Sequence, residues 1–330
     1  MKILITGGAG YIGSVLVNKI FKAASNYDNG LEKNNPFHSL KNVEQVTVYD
    51  NLLYKQTTLL DQCYRNNFRF VYGDVRDTEK LKNEVENHDV IIPLAALVGA
   101  PLCARDINAT YDINQKQVEN IISFCNKGQK IIYPNTNSGY GIGEKNEFCT
   151  EKSPLNPISD YGISKCNAEN AVLNYGGVTL RLATVFGLSP RMRLDLLVND
   201  FTYKAVNDKY IVLFEKDFKR NYIHVQDVAL TFIYMINNYD KFVGESFNVG
   251  LSSANLSKFE LCQTIKKFIP EFVIKYDDFA QDPDKRDYIV SNEKIEATGW
   301  NPHYSLESGI DELIKGYQII KHNNKLFTNL

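Results

Sequence analysis

No two of the six cysteines form a Cys-x-x-Cys pair. Cys63, Cys103, Cys125, Cys149, Cys166 and Cys262 are scattered along the chain. That spacing offers neither a zinc cluster nor a redox dithiol, so no metal site is expected. Unpaired thiols are the norm in a reducing compartment, and a cytoplasmic location is expected. An excess of basic charge is also missing. The formal net charge is −2, which gives no basic face for a phosphate backbone and excludes nucleic acid as the expected partner. Long apolar runs are missing as well. The most apolar stretch, residues 90–102, is broken by Pro93, Gly99 and Pro101 and is too short to span a bilayer, so no membrane partner is expected. Met1-Lys2 runs into Ile3-Leu4-Ile5 and then a glycine turn, which is not the pattern of a secretion signal. Repeats and low-complexity tracts are absent.

What is present is an ordinary globular composition, 44% hydrophobic and 23% charged over 330 residues. The first half alternates short apolar runs with amphipathic segments, the pattern of a parallel sheet covered by helices. Strands are predicted at 2–6, 46–50, 68–72, 90–94, 130–134 and 178–183, with helices over 108–125 and 160–175. Residues 24–42 are polar, rich in Asn, Asp, Gly and Pro, and far longer than the usual connection. They are expected to form a surface insertion. Beyond residue 188 the elements shorten: a helix near 196–206, strands near 210–214 and 222–225, and a helix over 227–236. Ser305 is placed to cap a final amphipathic helix.

Gly7, Gly10 and Gly13 follow the first strand and open the first helix. Glycines at this spacing permit a tight turn and the close approach of a pyrophosphate. The helix N-terminus behind them offers N–H groups and a partial positive charge. Tyr11 and Ile12 lie within the same turn. Asp50, followed by Asn51, ends the second strand, where a carboxylate can accept from both ribose hydroxyls of NAD and would repel the 2′-phosphate of NADP. NAD is therefore the expected cofactor. Asp74 and Val75 follow the third strand, Asp74 to accept from the adenine amino group and Val75 to pack on the ring.

Tyr161 and Lys165 are four residues apart, hence on one helix face. A tyrosine hydroxyl titrates near 10, and bringing it to about 7 takes roughly 4 kcal/mol. A neighbouring ammonium and a positive nicotinamide ring supply much of that. Lys165 could also hold the nicotinamide ribose. Thr136, just past the fifth strand, is placed to hydrogen-bond the reacting oxygen.

Together these residues resemble the extended short-chain dehydrogenase/reductase family of nucleotide-sugar epimerases, dehydratases and dehydrogenases. The resemblance covers nearly the whole chain: TGGAGYIG, the Asp50 strand end, GDVRD, Leu94-Ala95-Ala96, Asn114, YGISK, RLATVFG from Arg181, RNYIHV from Arg220 with Asp227, Arg286, and Gly299-Trp300-Asn301-Pro302. Residues 91–103, 133–141 and 191–200 look most like the bacterial GDP-heptose 4-dehydrogenases of surface-polysaccharide (capsule) pathways.

The resemblance implies an α/β fold, a Rossmann-type doubly wound parallel sheet with a smaller C-terminal α/β substrate-binding region. Residues 1–187 would form the NAD-binding domain, and 188–330 mainly the nucleotide-sugar region, interleaved with segments of the first. Thr136, Tyr161 and Lys165 would be the catalytic set. Gly7, Gly10, Tyr11, Ile12, Gly13, Asp50, Asn51, Asp74, Val75, Leu94, Ala95, Ala96, Tyr161 and Lys165 would hold NAD, and Asn114 would support the site from its helix. On the substrate side stand Thr136, Asn137, Ser138, Thr184 (where many relatives carry asparagine), Asn199, Arg220 and Arg286, the two arginines gripping the diphosphate. Sugar 4,6-dehydratases carry Thr-Asp-Glu where this chain has Thr136-Asn137-Ser138, and neither asparagine nor serine titrates near neutrality, so dehydration is disfavoured. A reductive epimerase with cysteine at the third position is disfavoured too.

The implied reaction is NAD-dependent oxidation at C4 of a nucleoside-diphosphate sugar, GDP-D-glycero-α-D-manno-heptose in the closest likeness. A 4-epimerase would need the same residues. A non-catalytic NAD sensor would not need the Tyr-Lys pair. The family also implies a homodimer joined through the 108–125 and 160–175 helices. Val118, Ile121, Ile122, Ala168 and Val172 are spaced for such a face or equally for the core.

Overall fold

The computed structural model describes residues 1–30, 32, 35–144, 147–277 and 286–320. Seven strands form the main sheet: β1 (Lys2–Thr6), β2 (Gln45–Asp50), β3 (Phe68–Tyr72), β4 (Val90–Pro93), β5 (Lys130–Thr136), β6 (Val178–Leu182) and β7 (Ser246–Val249). Their order is β7-β6-β5-β4-β1-β2-β3. The β1–β2, β1–β4, β2–β3 and β4–β5 pairings are all parallel. Ile3, Leu4, Ile5, Ile91 and Ile92 are fully buried, as a strand covered on both faces requires. The chain leaves β1 toward β2 on one side and later returns to β4 on the other. In register, Thr6 pairs with Tyr49 and with Pro93. The strand order therefore reverses at β1, and the crevice at the C-terminal ends of β1 and β4 is where such sheets bind ligands.

Two compact units divide the chain. One comprises Met1–Asn135, Ser159–Arg181 and Val228–Ser246; the other comprises Thr136–Ile158, Leu182–Asp227 and the chain from Phe247 on. Helices of the first unit include α1 (Tyr11–Asp28), α2 (Gln117–Phe124), α3 (Asp160–Tyr175) and most of α4 (Val225–Asn238). The helix expected over 108–125 is interrupted. Ile107–Tyr111 passes through a wider π-turn at Asp112–Lys116 before α2 begins. α3 matches its expected bounds. Ser159 caps it by accepting from the Gly162 amide at 3.2 Å, and Gly176 ends it in the left-handed conformation, φ +93°.

In the second unit, 184–186, 219–224 and 255–257 form a three-stranded sheet, and 210–214 pairs with 273–277. Ser257 and Glu260 close a reciprocal capping box on the helix Lys258–Lys266. The Ser305 hydroxyl accepts from the Ser308 amide at 3.1 Å, at the start of Leu306–Ile320. Asp227 accepts from the His303 and Tyr304 amides, which anchors the tail just after the buried Trp300.

The segment 24–42 is not a plain surface loop. Its first residues continue α1 to Asp28. Its far end docks on α4: the Phe37 ring stacks on Tyr234 at 4.8 Å, and Asn237 donates to the Pro36 and Ser39 carbonyls. Phe37 and Leu40 are buried. Residues 31, 33 and 34 lie outside the described set. Of the two roles open to the apolar residues of α2 and α3, the core is the one they fill. Val118, Ile121, Ala168 and Val172 are fully buried in one cluster with Leu81, Val85 and Ile131, and Ile122 packs against it. These side chains are spent on the core of the unit.

Deleting the Phe37 ring tests the docking. Phe37→Ala should cost about 3 kcal/mol in urea unfolding, the value for a buried aromatic. A solvent-facing loop would register within ~0.5 kcal/mol.

Candidate active site

The glycine turn is shaped by close approach. Gly7 has φ +67°, and a Cβ there would stand 2.6 Å from the Ala95 amide nitrogen. A Cβ on Gly13 would stand 2.6 Å from the Gly8 Cα. Neither position accepts a side chain without moving backbone. Gly10 is the N-cap of α1, and no side chain caps the helix. Tyr11, Ile12 and Gly13 form the first turn of the helix, where backbone N–H groups face the glycine turn. A side-chain-free cradle facing an uncapped helix of 18 residues suits a pyrophosphate.

Asp50 ties this turn to the end of β2. Its carboxylate accepts from the Ala9 amide at 3.0 Å and the Leu52 amide at 2.8 Å. Burial pushes its pKa up, and these two donors hold it down. The Gln56 side-chain amide donates to the carboxylate as well, at 3.4 Å, and with about four acceptor sites on two oxygens a lone pair is left for a ribose hydroxyl. Asp74 is more heavily engaged. Arg76 grips both its oxygens, at 2.9 and 2.8 Å, and Asn51 donates to it at 3.2 Å. The guanidinium holds the carboxyl down at about 2. Val75 differs from expectation. It packs in the core with Tyr49, Val71 and Leu81 and is 6% exposed, so at most an edge is left to meet an adenine. Its neighbour Tyr49 explains this: the Tyr49 hydroxyl donates to the Asp74 carbonyl and draws the loop onto the sheet.

At the crevice, the Leu94 amide donates to the Thr6 carbonyl and the Ala95 amide to the Thr6 hydroxyl. Leu94, Ala95 and Ala96 are half-buried, and the backbone of Leu94 and Ala95 lies directly against Gly7. Asn114 sits on the π-turn. Its amide accepts from the Leu97 N–H at 2.8 Å and donates to the Leu97 carbonyl at 2.9 Å, which fixes the loop after β4. It also reaches Ser164 on α3 at 3.5 Å. A π-turn here re-aims one side chain without ending the helix.

Tyr161 is the second residue of α3 and is half-buried; Lys165 lies one turn further on, 5% exposed. The Lys165 ammonium stands 4.0 Å above the Tyr133 ring. Loss of water pulls its pKa down to about 7, while Cys166, Glu169 and Cys103 oppose that. One turn further, the fully buried Glu169 accepts from Arg181 at 3.1 Å, Thr179 at 2.7 Å and Asn135 at 2.8 Å. Residues 161, 165 and 169 thus form one stripe of polar groups. The motif exposed its first two members. Glu169 was missed, although its i+4 spacing from Lys165 was the available signal.

In the second unit, Thr136 ends β5. Its hydroxyl donates to the Ser138 hydroxyl at 3.0 Å and accepts from the Ser138 amide at 3.1 Å. Arg286 also donates to the Ser138 hydroxyl, so Thr136, Ser138 and Arg286 form one chain. Between them Asn137 is 1% exposed, and neither atom of its side-chain amide has a protein partner. Arg220 is buried, donates to the Lys219 carbonyl and lies over the Tyr288 ring at 5.4 Å. Tyr288 lies two residues beyond Arg286 in the chain. Thr184 is half-buried and pairs with Tyr222 across two strands. Asn199 is a correction. It is fully buried, accepts from the Gly187 amide and donates to the Arg193 carbonyl. Its side chain clamps two loops and has no face left for a diphosphate.

Comparison with known proteins places the chain in a family and matches its fold. A family model described as "NAD dependent epimerase/dehydratase family" matches residues 3–250. The dTDP-D-glucose 4,6-dehydratase of Homo sapiens is 28% identical over 344 residues, covering 98% of this chain and 92% of that protein. A putative UDP-glucose 4-epimerase of Methanocaldococcus jannaschii is 27% identical over 338 residues, covering 98% and 99%. The structure of a Streptomyces venezuelae dTDP-glucose 4,6-dehydratase with NAD and TYD bound superposes with a TM-score of 0.82 at 22% identity, covering 99% of this chain and 100% of that one. Among the described residues no helix is long and apolar enough to cross a membrane.

A buried lysine with a depressed pKa destabilises the protein that holds it. Between the folded value of about 7 and the ordinary 10.5, the unfolded chain binds the extra proton. Stability from this group therefore rises with pH across that window and is lowest below pH 7. Lys165→Met keeps the volume and removes the charge. It should raise the Tm of the cofactor-free protein at pH 6 by roughly 3 °C or more, with the gain shrinking toward pH 10. A lowered Tm at pH 6 would show that the ammonium is not desolvated.

Proposed function

The chain belongs to the NAD dependent epimerase/dehydratase family, and from that premise we propose that it oxidises C4 of a sugar carried on a nucleoside diphosphate. Its cofactor is NAD. The observation that carries the reading is the Lys165 ammonium, held in the interior one turn from Tyr161. A tyrosine needs such a charge to act as a base near neutrality.

Gly7, Gly10, Tyr11, Ile12 and Gly13 would take the pyrophosphate, Asp50 and Asn51 the adenosine ribose, Asp74 with the edge of Val75 the adenine, and Leu94–Ala96 with Lys165 the nicotinamide half. When bound, NAD supplies the acceptor for the two electrons and hydrogen that leave C4. Tyr161, as phenolate, accepts the proton of the C4 hydroxyl. Lys165 keeps that phenol acidic. The Thr136 hydroxyl, already bonded to Ser138, steadies the C4 oxygen. Arg220 and Arg286 grip the diphosphate; a planar guanidinium fits two phosphate oxygens at once. Remote binding of that kind orients the sugar and lowers the barrier without touching the reacting bond. Asn137, with an unpartnered buried amide, and Ser138 would meet the sugar hydroxyls, and Thr184 borders them.

Several relatives are named as 4,6-dehydratases. Elimination of water needs an acid and a base beside C5 and C6, and Asn137 and Ser138 supply neither. Loss of water is therefore disfavoured, and our reading is release of the 4-keto sugar, formed from GDP-D-glycero-α-D-manno-heptose for surface-polysaccharide synthesis. The stretches 91–103, 133–141 and 191–200 support that substrate. A second reading, 4-epimerisation through a transient ketone, is favoured by the relative named as a UDP-glucose 4-epimerase. It uses the same side chains and differs only in whether the ketone stays to be reduced.

Incubation with NAD and each of GDP-D-glycero-α-D-manno-heptose, UDP-glucose and dTDP-glucose separates the outcomes by mass and NMR. The expected product is the heptose lighter by two hydrogens, with NADH formed in equal amount. Unchanged mass with inverted C4 would replace the dehydrogenase reading by the epimerase, and loss of water would overturn the argument from Asn137 and Ser138. Tyr161→Phe should lower kcat by on the order of a thousandfold while NAD still binds.

A further inference from the structure

The role proposed for Lys165 depends on its staying charged where water cannot reach it. We propose that Tyr133 is a positioning residue for that reaction, its ring face serving as the counter-surface that holds the Lys165 ammonium over β5. This rests on the reading of Tyr161 and Lys165 given above.

The placement follows from strand alternation. On β5 the side chains of 131, 133 and 135 share one face. Ile131 and Tyr133 pack in the cluster that contains Ala168 and Val172 of α3, and Asn135 bonds Glu169 of the same helix. Tyr133 is therefore fixed beneath the turn that carries Lys165, and the ammonium lies 4.0 Å from its ring centroid. That is within the range where a cation is drawn to the electron-rich face, and the attraction is strongest when the pair is desolvated. Tyr133 is fully buried.

The hydroxyl does not explain why an aromatic ring stands there. It has no hydrogen-bond partner in the protein, which costs free energy in a buried site. What the position gains is the ring. The groups facing Lys165 from the elements around it are few: Cys103 from the helix Ala100–Arg105, Cys166 and Glu169 from α3, and Tyr133 from β5. Glu169 acts on the lysine from one turn away and is itself shared with Arg181, Thr179 and Asn135. The ring face is the group that lies against the ammonium itself.

Graded fluorination tests this without disturbing the packing. Tyr133→Phe removes only the orphan hydroxyl and should fold at least as well as the parent. Phenylalanines bearing one, two and three fluorines at position 133 then weaken the ring face stepwise at nearly constant shape. The readout is the titration of Lys165 in the NAD-loaded protein, followed by the NMR signal of its labelled Cε, assigned by its loss in Lys165→Met. The expected result is a midpoint that falls with each fluorine, by about 1 pH unit across the series. As the lysine loses its proton earlier, Tyr161 needs a higher pH to ionise, so the ascending limb of kcat against pH moves up correspondingly. A midpoint that stays flat across the series overturns the proposal. Should the unaltered protein turn over none of the nucleotide sugars, the reading of its function fails, yet the titration still decides the role of the ring.

Discussion

A charged amine taken out of water must be answered by its surroundings or give up its proton. Lys165 is in that position, and much of the first unit is arranged around it. The ring of Tyr133 lies under the ammonium, and the Glu169 carboxylate one turn away leans on it from the same helix. Glu169 could not be fully buried alone; Arg181, Thr179 and Asn135 each donate to it. Those three donors come from β5 and β6, so the bonds that neutralise the glutamate also lock α3 to the sheet. Stability and chemistry share the same contacts here. Removing one partner would leave a buried charge unpaired, which is the costliest way to break such a network.

The cofactor end follows from a different constraint, that of backbone approach. Gly7 must do without a Cβ because the loop after β4 passes within van der Waals range, and the Ala9–Asp50 hydrogen bond keeps that turn against the end of β2. Asn114, on a π-turn, holds the loop after β4 from the other side through Leu97. Three short elements are thereby fixed at the point where strand order reverses. The second unit works by bonds among its own side chains. Thr136, Ser138 and Arg286 form a chain, and the buried Asn137 amide beside them lacks any protein partner.

Much of this was legible in the sequence because local rules dictate it. β1, β3 and α3 fall at their expected bounds since apolar runs, a Ser159 cap and a Gly176 stop leave little choice. What was not legible depends on partners distant in the chain. The docking of Phe37 needs Tyr234, and polar composition hid it. Asn199 reads as a ligand contact until Gly187 and Arg193 are seen to use up its amide. Val75 reads as a full adenine contact, but Tyr49 draws its loop toward the core and leaves only an edge of it exposed. The π-turn at Asp112–Lys116 carries no periodicity signal of its own. For Asn199 and Val75 the pattern gave the neighbouring element, and a contact distant in the chain set which way the side chain pointed.

The central claim is that hydrogen leaves C4 of the sugar for the nicotinamide while Tyr161 takes the hydroxyl proton. Single turnover of a nucleotide sugar carrying deuterium at C4 tests it most directly. Deuterium should be found in the reduced cofactor, with a primary isotope effect on its formation. Turnover with no primary isotope effect, and with no deuterium passing to the cofactor at any time, would contradict the account.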